Sequence, residues 1–87
     1  MQQALTIDHK RIEERIRTLA EIGRTPDGGV HRMALTKEDF QAQELVSDWM
    51  RQAGMAVWRD HFGNLIGRRE GKAPQKPVVM MGSHIDS

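Results

Sequence analysis

Hydrophobic and polar positions alternate along this chain in three different rhythms. Ile12, Ile16, Leu19 and Ile22 are spaced by 4, 3 and 3 and so share one helical face. Asp8 is placed to cap that helix, Ile7 and Ile12 to form a hydrophobic staple, and Gly23 to stop it. The charges from Lys10 to Arg17 fall on the other side, with Glu13 and Arg17 in the favourable i,i+4 order, and read as a solvated outer face. A second helix begins at Thr36 as cap, with Asp39 at the capping-box position and Leu35 and Phe40 as staple. Its apolar stripe is Ala42, Leu45, Val46, Trp49, Met50 and Ala53. Gly54 then ends it, and Met55 is placed to contact Met50 as in a Schellman cap. Trp49 and the methionines, at helical spacing, read as core rather than as a cofactor box.

Beyond the second helix the period shortens. Residues 55–60 and 64–69 read as two strands of a hairpin, joined by His61-Phe62-Gly63. Val78-Val79-Met80-Met81 shows no alternation at all, between Pro77 and Gly82. A run that short and that apolar predicts a strand covered on both faces, as in a parallel sheet, and the most central one here. The order helix, loop, helix, strand, strand, strand predicts an α/β domain whose helices flank a mixed sheet.

The connecting segments are less specific. Arg24-Thr25-Pro26-Asp27-Gly28-Gly29 is a turn by its Pro and Gly content. Val30 to Leu35 reads as an exposed loop carrying His31 and Arg32. The alternative is a Gly-Gly loop whose backbone approaches a ligand, with Arg32 facing an anionic group. The segment is not a phosphate loop, since it follows no clear strand and lacks the GK[ST] ending. His9 falls in the first turn of a helix, His61 in the hairpin turn, and residues 71–77 form a flexible connector.

Composition narrows the classes. Eighty-seven residues make at most one small domain, near the lower limit for a self-sufficient core. A net charge of +1 selects no partner, and with no cysteine there is neither a disulfide nor a thiolate site. Arg68, Arg69, Lys72 and Lys76 make one stretch basic, but no aromatic follows Phe62, which disfavours nucleic-acid binding. Met1 to Leu5 lacks the features of a signal peptide, and no apolar run nears the roughly 18 residues that span a bilayer. A cytoplasmic protein that binds no membrane is the expectation.

Candidate chemistry sits after the last predicted strand, in Gly82-Ser83-His84-Ile85-Asp86-Ser87. Ligands of open α/β sheets bind beyond the carboxyl ends of the strands. In extended chain, residues i and i+2 point the same way, so Asp86 could accept a hydrogen bond from the ring nitrogen that His84 does not give to a metal. One imidazole is not a site, because catalytic zinc takes three protein ligands. The competing reading is a small non-enzymatic α/β interaction domain in which His84 is structural. Ending in a loop where a site would form, the chain is read as the N-terminal piece of a longer protein.

The residues Arg11-Ile12, Gly23, Gly28-Gly29-Val30-His31-Arg32, Trp49 to Met55, Gly63 to Arg68 and Gly82 to Ser87 together resemble a family of di-metal amidohydrolases. It comprises the N-carbamoyl-L-amino-acid hydrolases, allantoate amidohydrolases and β-ureidopropionases, within a clan of aminoacylase- and carboxypeptidase-like metalloenzymes. The resemblance implies that residues 1–87 are the N-terminal portion of a zinc-peptidase-like catalytic domain, with the rest of that domain and a dimerisation domain absent. It implies two divalent metal ions (zinc, manganese, nickel or cobalt), His84 as a ligand of one, and Asp86 in the catalytic site supporting that histidine. The other ligands and a glutamate general base would lie downstream. The implied activity is hydrolysis of carbamoyl or amidine C–N bonds in a small-molecule substrate, by a homodimer. The 87 residues alone are expected to be inactive.

Overall fold

A computed structural model describes residues 5–73 and 75–87. Met1 to Ala4, most of the stretch read against a signal peptide, and Pro74 of the 71–77 connector lie outside the described residues. The order of elements is α1 (His9–Ala20), α2 (Lys37–Gln52), β1 (Ala56–Arg59) and β2 (Leu65–Arg68).

The helix ends follow local chemistry. Asp8 caps α1, its carboxylate accepting from the Arg11 N–H at 3.0 Å. Thr36 caps α2 by accepting from the Asp39 N–H at 3.3 Å. Asp39 reaches back to the Leu35 N–H at 3.1 Å, so the capping box closes one residue before the cap. The staple expected of Leu35 and Phe40 does not form. Leu35 takes a left-handed backbone (φ 67°) that leaves its side chain exposed, and Phe40 instead lies under the Arg59 guanidinium at 4.7 Å. At the far end of α2 the Met55 N–H bonds the Met50 carbonyl and the Gly54 N–H bonds that of Arg51, both at 3.0 Å. These are the two bonds of a Schellman cap, with Gly54 at φ 86°.

β1 and β2 form an antiparallel hairpin with Ala56 opposite Arg68 and Arg59 opposite Leu65. Its loop is organised by Asp60, whose carboxylate accepts from the Phe62 and Asn64 N–H groups and from the Asn64 side-chain amide, at 2.8 to 2.9 Å. Helix α2 packs on both strands. Gly67 permits that approach: a Cβ there would come within 2.9 Å of the Met50 sulfur and 3.1 Å of the Met55 sulfur. α1 meets α2 where the Arg15 guanidinium stacks on Trp49 at 5.0 Å, so one charge of the expected solvated face is used in packing.

The α/β class holds, but the expected central strand does not form. Val78 to Met81 carry no strand pairing and are exposed, Val79 to 93%. The sheet among the described residues has two strands. An unbroken apolar run records that both faces could be covered; it carries no information on which neighbour supplies the hydrogen-bond ladder. The α1 stripe shares this state, with Ile12 and Ile16 exposed. Ala42 is the one fully buried apolar residue among those described.

Two predictions follow from this packing. With so little apolar surface withdrawn from water, the isolated chain will lose helical circular dichroism over a broad, non-cooperative thermal transition. A sharp two-state transition by calorimetry would contradict it. The second concerns the hairpin loop. The Asn64 side-chain amide, and after it the Asn64 N–H, hold the Asp60 carboxyl below its usual pKa. A lowered folded-state pKa means that the loop's gain from this carboxylate is present above the unfolded value of about 3.9 and is lost as pH falls through the lower, folded one. An NMR titration of the Asn64 side-chain amide should therefore show its midpoint below about pH 3.9; a midpoint at or above that value refutes the assignment.

Candidate functional site

The segment that carries His84 and Asp86 is fixed to the body of the chain by Arg32. α1 ends earlier than expected, at Ala20 with Glu21 as its C-cap; Gly23, two residues on, takes a left-handed conformation (φ 83°) and its carbonyl accepts from the His31 N–H at 2.7 Å. Between them the chain reverses, with Arg24 bridged to Val30, the Thr25 N–H bonded to the Gly29 carbonyl, and the Thr25 hydroxyl bonded to Asp27. That hydroxyl and the Gly29 N–H hold the Asp27 carboxyl below its usual pKa. A Cβ on Gly23 would lie 2.5 Å from the His31 carbonyl oxygen, so the return strand can pass this close only over glycine.

The reversal delivers Arg32 to the C-terminal end of α1, where it is 6% exposed. Its Nη1 donates to the carbonyl of Leu19 at 2.9 Å, which also accepts from the Ile22 N–H at 3.1 Å, and to that of Ile22 at 2.8 Å. Its Nε donates to the Ile85 carbonyl at 2.9 Å. The backbones of Arg32 and Ser87 exchange two hydrogen bonds of 2.6 Å. The positive charge also sits at the negative end of the helix dipole. Arg32 is therefore neither on an exposed loop nor facing an anion. A buried guanidinium makes up for its lost hydration with several acceptors, and carbonyl oxygens supply them here. The Gly-Gly turn was the available signal, since it marks close backbone approach; what the backbone approaches is the end of α1 rather than a ligand.

On the segment so held, the His84 Nδ1 lies 3.1 Å from the Asp86 carboxylate and 3.3 Å from the Asp86 carbonyl. A proton on Nδ1 satisfies both contacts and leaves the Nε2 lone pair outward on a side chain that is 81% exposed. This is the arrangement of a metal-ligating histidine whose second nitrogen is held by a carboxylate. The donor set fits one ligand of a metal centre and no more. His9, His31 and His61 are exposed on other parts of the chain, and no group of three or more potential ligands forms among the described residues.

The same fold occurs in a solved structure, a hydantoinase/carbamoylase family amidase from Burkholderia ambifaria. It matches 95% of this chain and 20% of its own with a TM-score of 0.91 and 44% identity. No family model matches the chain. Over nearly its whole length the chain is similar to amidohydrolases of the hydantoinase/carbamoylase type. Among its relatives are N-carbamoyl-L-amino-acid amidohydrolases of Pseudomonas sp. (strain NS671), 58% identical across 98% of the chain, and of Geobacillus stearothermophilus, 47% identical across 93%. An allantoate amidohydrolase of Bacillus subtilis is 40% identical across 87%. The chain spans about one fifth of the length of these relatives.

The turn geometry makes a specific demand on Gly23. Gly23→Ala should cost about 1–2 kcal/mol for the left-handed backbone alone, with the clash against His31 added. Amide exchange at His31 and Ser87 should accelerate together, because Arg32 links the two segments. If Ser87 exchange is unchanged while His31 exchange rises, the link does not transmit.

Proposed function

We propose that the full-length protein carrying this chain is a metal-dependent hydrolase of linear carbamoyl or amidine C–N bonds, of the N-carbamoyl-L-amino-acid or allantoate type. The observation that carries the reading is the His84–Asp86 contact, with Nδ1 held at 3.1 Å by the carboxylate and Nε2 left outward. The names of the relatives supply the reaction class. In this reading His84 donates Nε2 to one of two divalent ions, and Asp86 keeps the proton on Nδ1 and fixes the ring's direction. Such ions, when bound, act as Lewis acids toward the scissile carbon's oxygen and lower the pKa of water. The remaining ligands and the general base come from outside these 87 residues, since one imidazole cannot hold two ions.

His84→Ala in the full-length protein should lower metal content and abolish turnover of an N-carbamoyl-L-amino acid or allantoate, while leaving the fold intact. Asp86→Asn should cost less, about 10- to 100-fold in metal affinity or activity, because it keeps the shape and weakens the acceptor. Elemental analysis and turnover on the same preparations decide the matter. Full metal content and full activity in His84→Ala would refute the site.

A further inference from the structure

We infer that Arg32 is a positioning residue of the metal site, a clamp that sets where His84 and Asp86 stand relative to the end of α1. The inference rests on the reading of His84 as a metal ligand. One guanidinium bonds two sections of backbone: Ile85, 53 residues from Arg32, through Nε, and Ile22 and Leu19, 10 and 13 residues from it, through Nη1. The acceptor in the distant section is the carbonyl of Ile85, the residue between His84 and Asp86. Arg32 also pairs its own N–H and carbonyl with Ser87. These three bonds hold the His84–Asp86 segment from one direction, and the helix end behind Arg32 holds Arg32.

The exposed side of the same segment shows why such a clamp matters. Val78 to Met81 approach the site without strand pairing, and His84 and Asp86 hydrogen-bond each other but reach no other side chain among the described residues. The pair can orient the imidazole internally, and among the described residues the side chain that fixes its segment to the body of the chain is Arg32. A metal ligand misplaced by a fraction of an ångström loses affinity because its lone pair no longer meets the ion in the geometry that the other ligands impose.

Lysine cannot substitute. Its single ammonium on a flexible stem could reach the carbonyls of Leu19 and Ile22 or that of Ile85, whereas the planar fork of arginine addresses both at once. Positive charge at the end of α1 is retained in Arg32→Lys, so the helix keeps its favourable dipole partner while the tether to Ile85 is lost.

The test uses the full-length protein, stripped of metal and titrated with Co2+ as the probe, in four forms: wild type, Arg32→Lys, His84→Ala and Met50→Ala. Met50 packs on Gly67, away from the clamp, and serves as a control for general destabilisation. Arg32→Lys should weaken Co2+ binding by about 10- to 100-fold and change the visible Co2+ spectrum, as loss of an orienting contact does. It should also accelerate amide exchange at Ser87. Met50→Ala should lower the melting temperature of the metal-free protein without either change. If Arg32→Lys lowers the melting temperature but leaves Co2+ affinity and spectrum as in wild type, Arg32 serves the fold alone and the inference is overturned. Equal losses of affinity in Arg32→Lys and Met50→Ala overturn it as well, by making the effect one of general destabilisation. Wild-type Co2+ binding in His84→Ala refutes the metal reading of His84 and the clamp's role with it, whereas loss of binding there with no effect of Arg32→Lys refutes the clamp alone.

Discussion

A buried positive charge that, among the described residues, is met by backbone carbonyls rather than by a salt bridge is the constraint on which this chain's long-range order depends. Arg32 is almost wholly withdrawn from water, and its bonded partners are backbone carbonyls of Leu19, Ile22 and Ile85. Leaving a buried polar donor without an acceptor costs about 1–3 kcal/mol, and more for a charged one. Each of those carbonyls is thus required to stay where it is. The end of α1, the return strand after the Gly-Gly turn, and the His84–Asp86 segment are bound into one unit by that requirement rather than by an apolar core, of which the chain has little.

Around this unit, glycine decides what can come close. Gly23 lets the return strand lie against the end of α1, and Gly67 lets two methionines of the α2 terminus lie against the hairpin. The two cases differ physically. At Gly23 the obstruction would be a backbone oxygen, which cannot yield; at Gly67 it would be the flexible ends of Met50 and Met55. The first is a fixed joint, the second a packed surface with some tolerance.

What could be read from the sequence was what is decided locally. The caps at Asp8 and Thr36 and the Schellman turn at Gly54 each depend on residues within five positions of one another, and all three form. The His84–Asp86 contact is legible for the same reason, since i and i+2 face alike in extended chain. Two features were not legible. Arg32 finds its acceptors 10 to 53 residues away, and nothing in its neighbours indicates them. The staple at Leu35 and Phe40 was expected from side-chain pattern alone, and the left-handed backbone of Leu35 overrode it. The absent strand at 78–81 shows a third limit. Hydrophobicity specifies a surface to be covered, while pairing needs a neighbour that the residue pattern does not name.

That uncovered segment has a consequence for how the chain behaves among its own copies. Val78 to Met81 is an apolar, β-compatible, uncharged run whose backbone donors and acceptors find no partner among the described residues, the kind of template that recruits identical strands edge to edge. The residues just before it are suited to restrain this: Arg68, Arg69, Lys72 and Lys76 repel like copies in parallel register, and Pro77 removes a ladder donor at the boundary. The basic stretch thus has the composition of a gatekeeper. Charge of one sign beside an apolar strand opposes its pairing with identical copies.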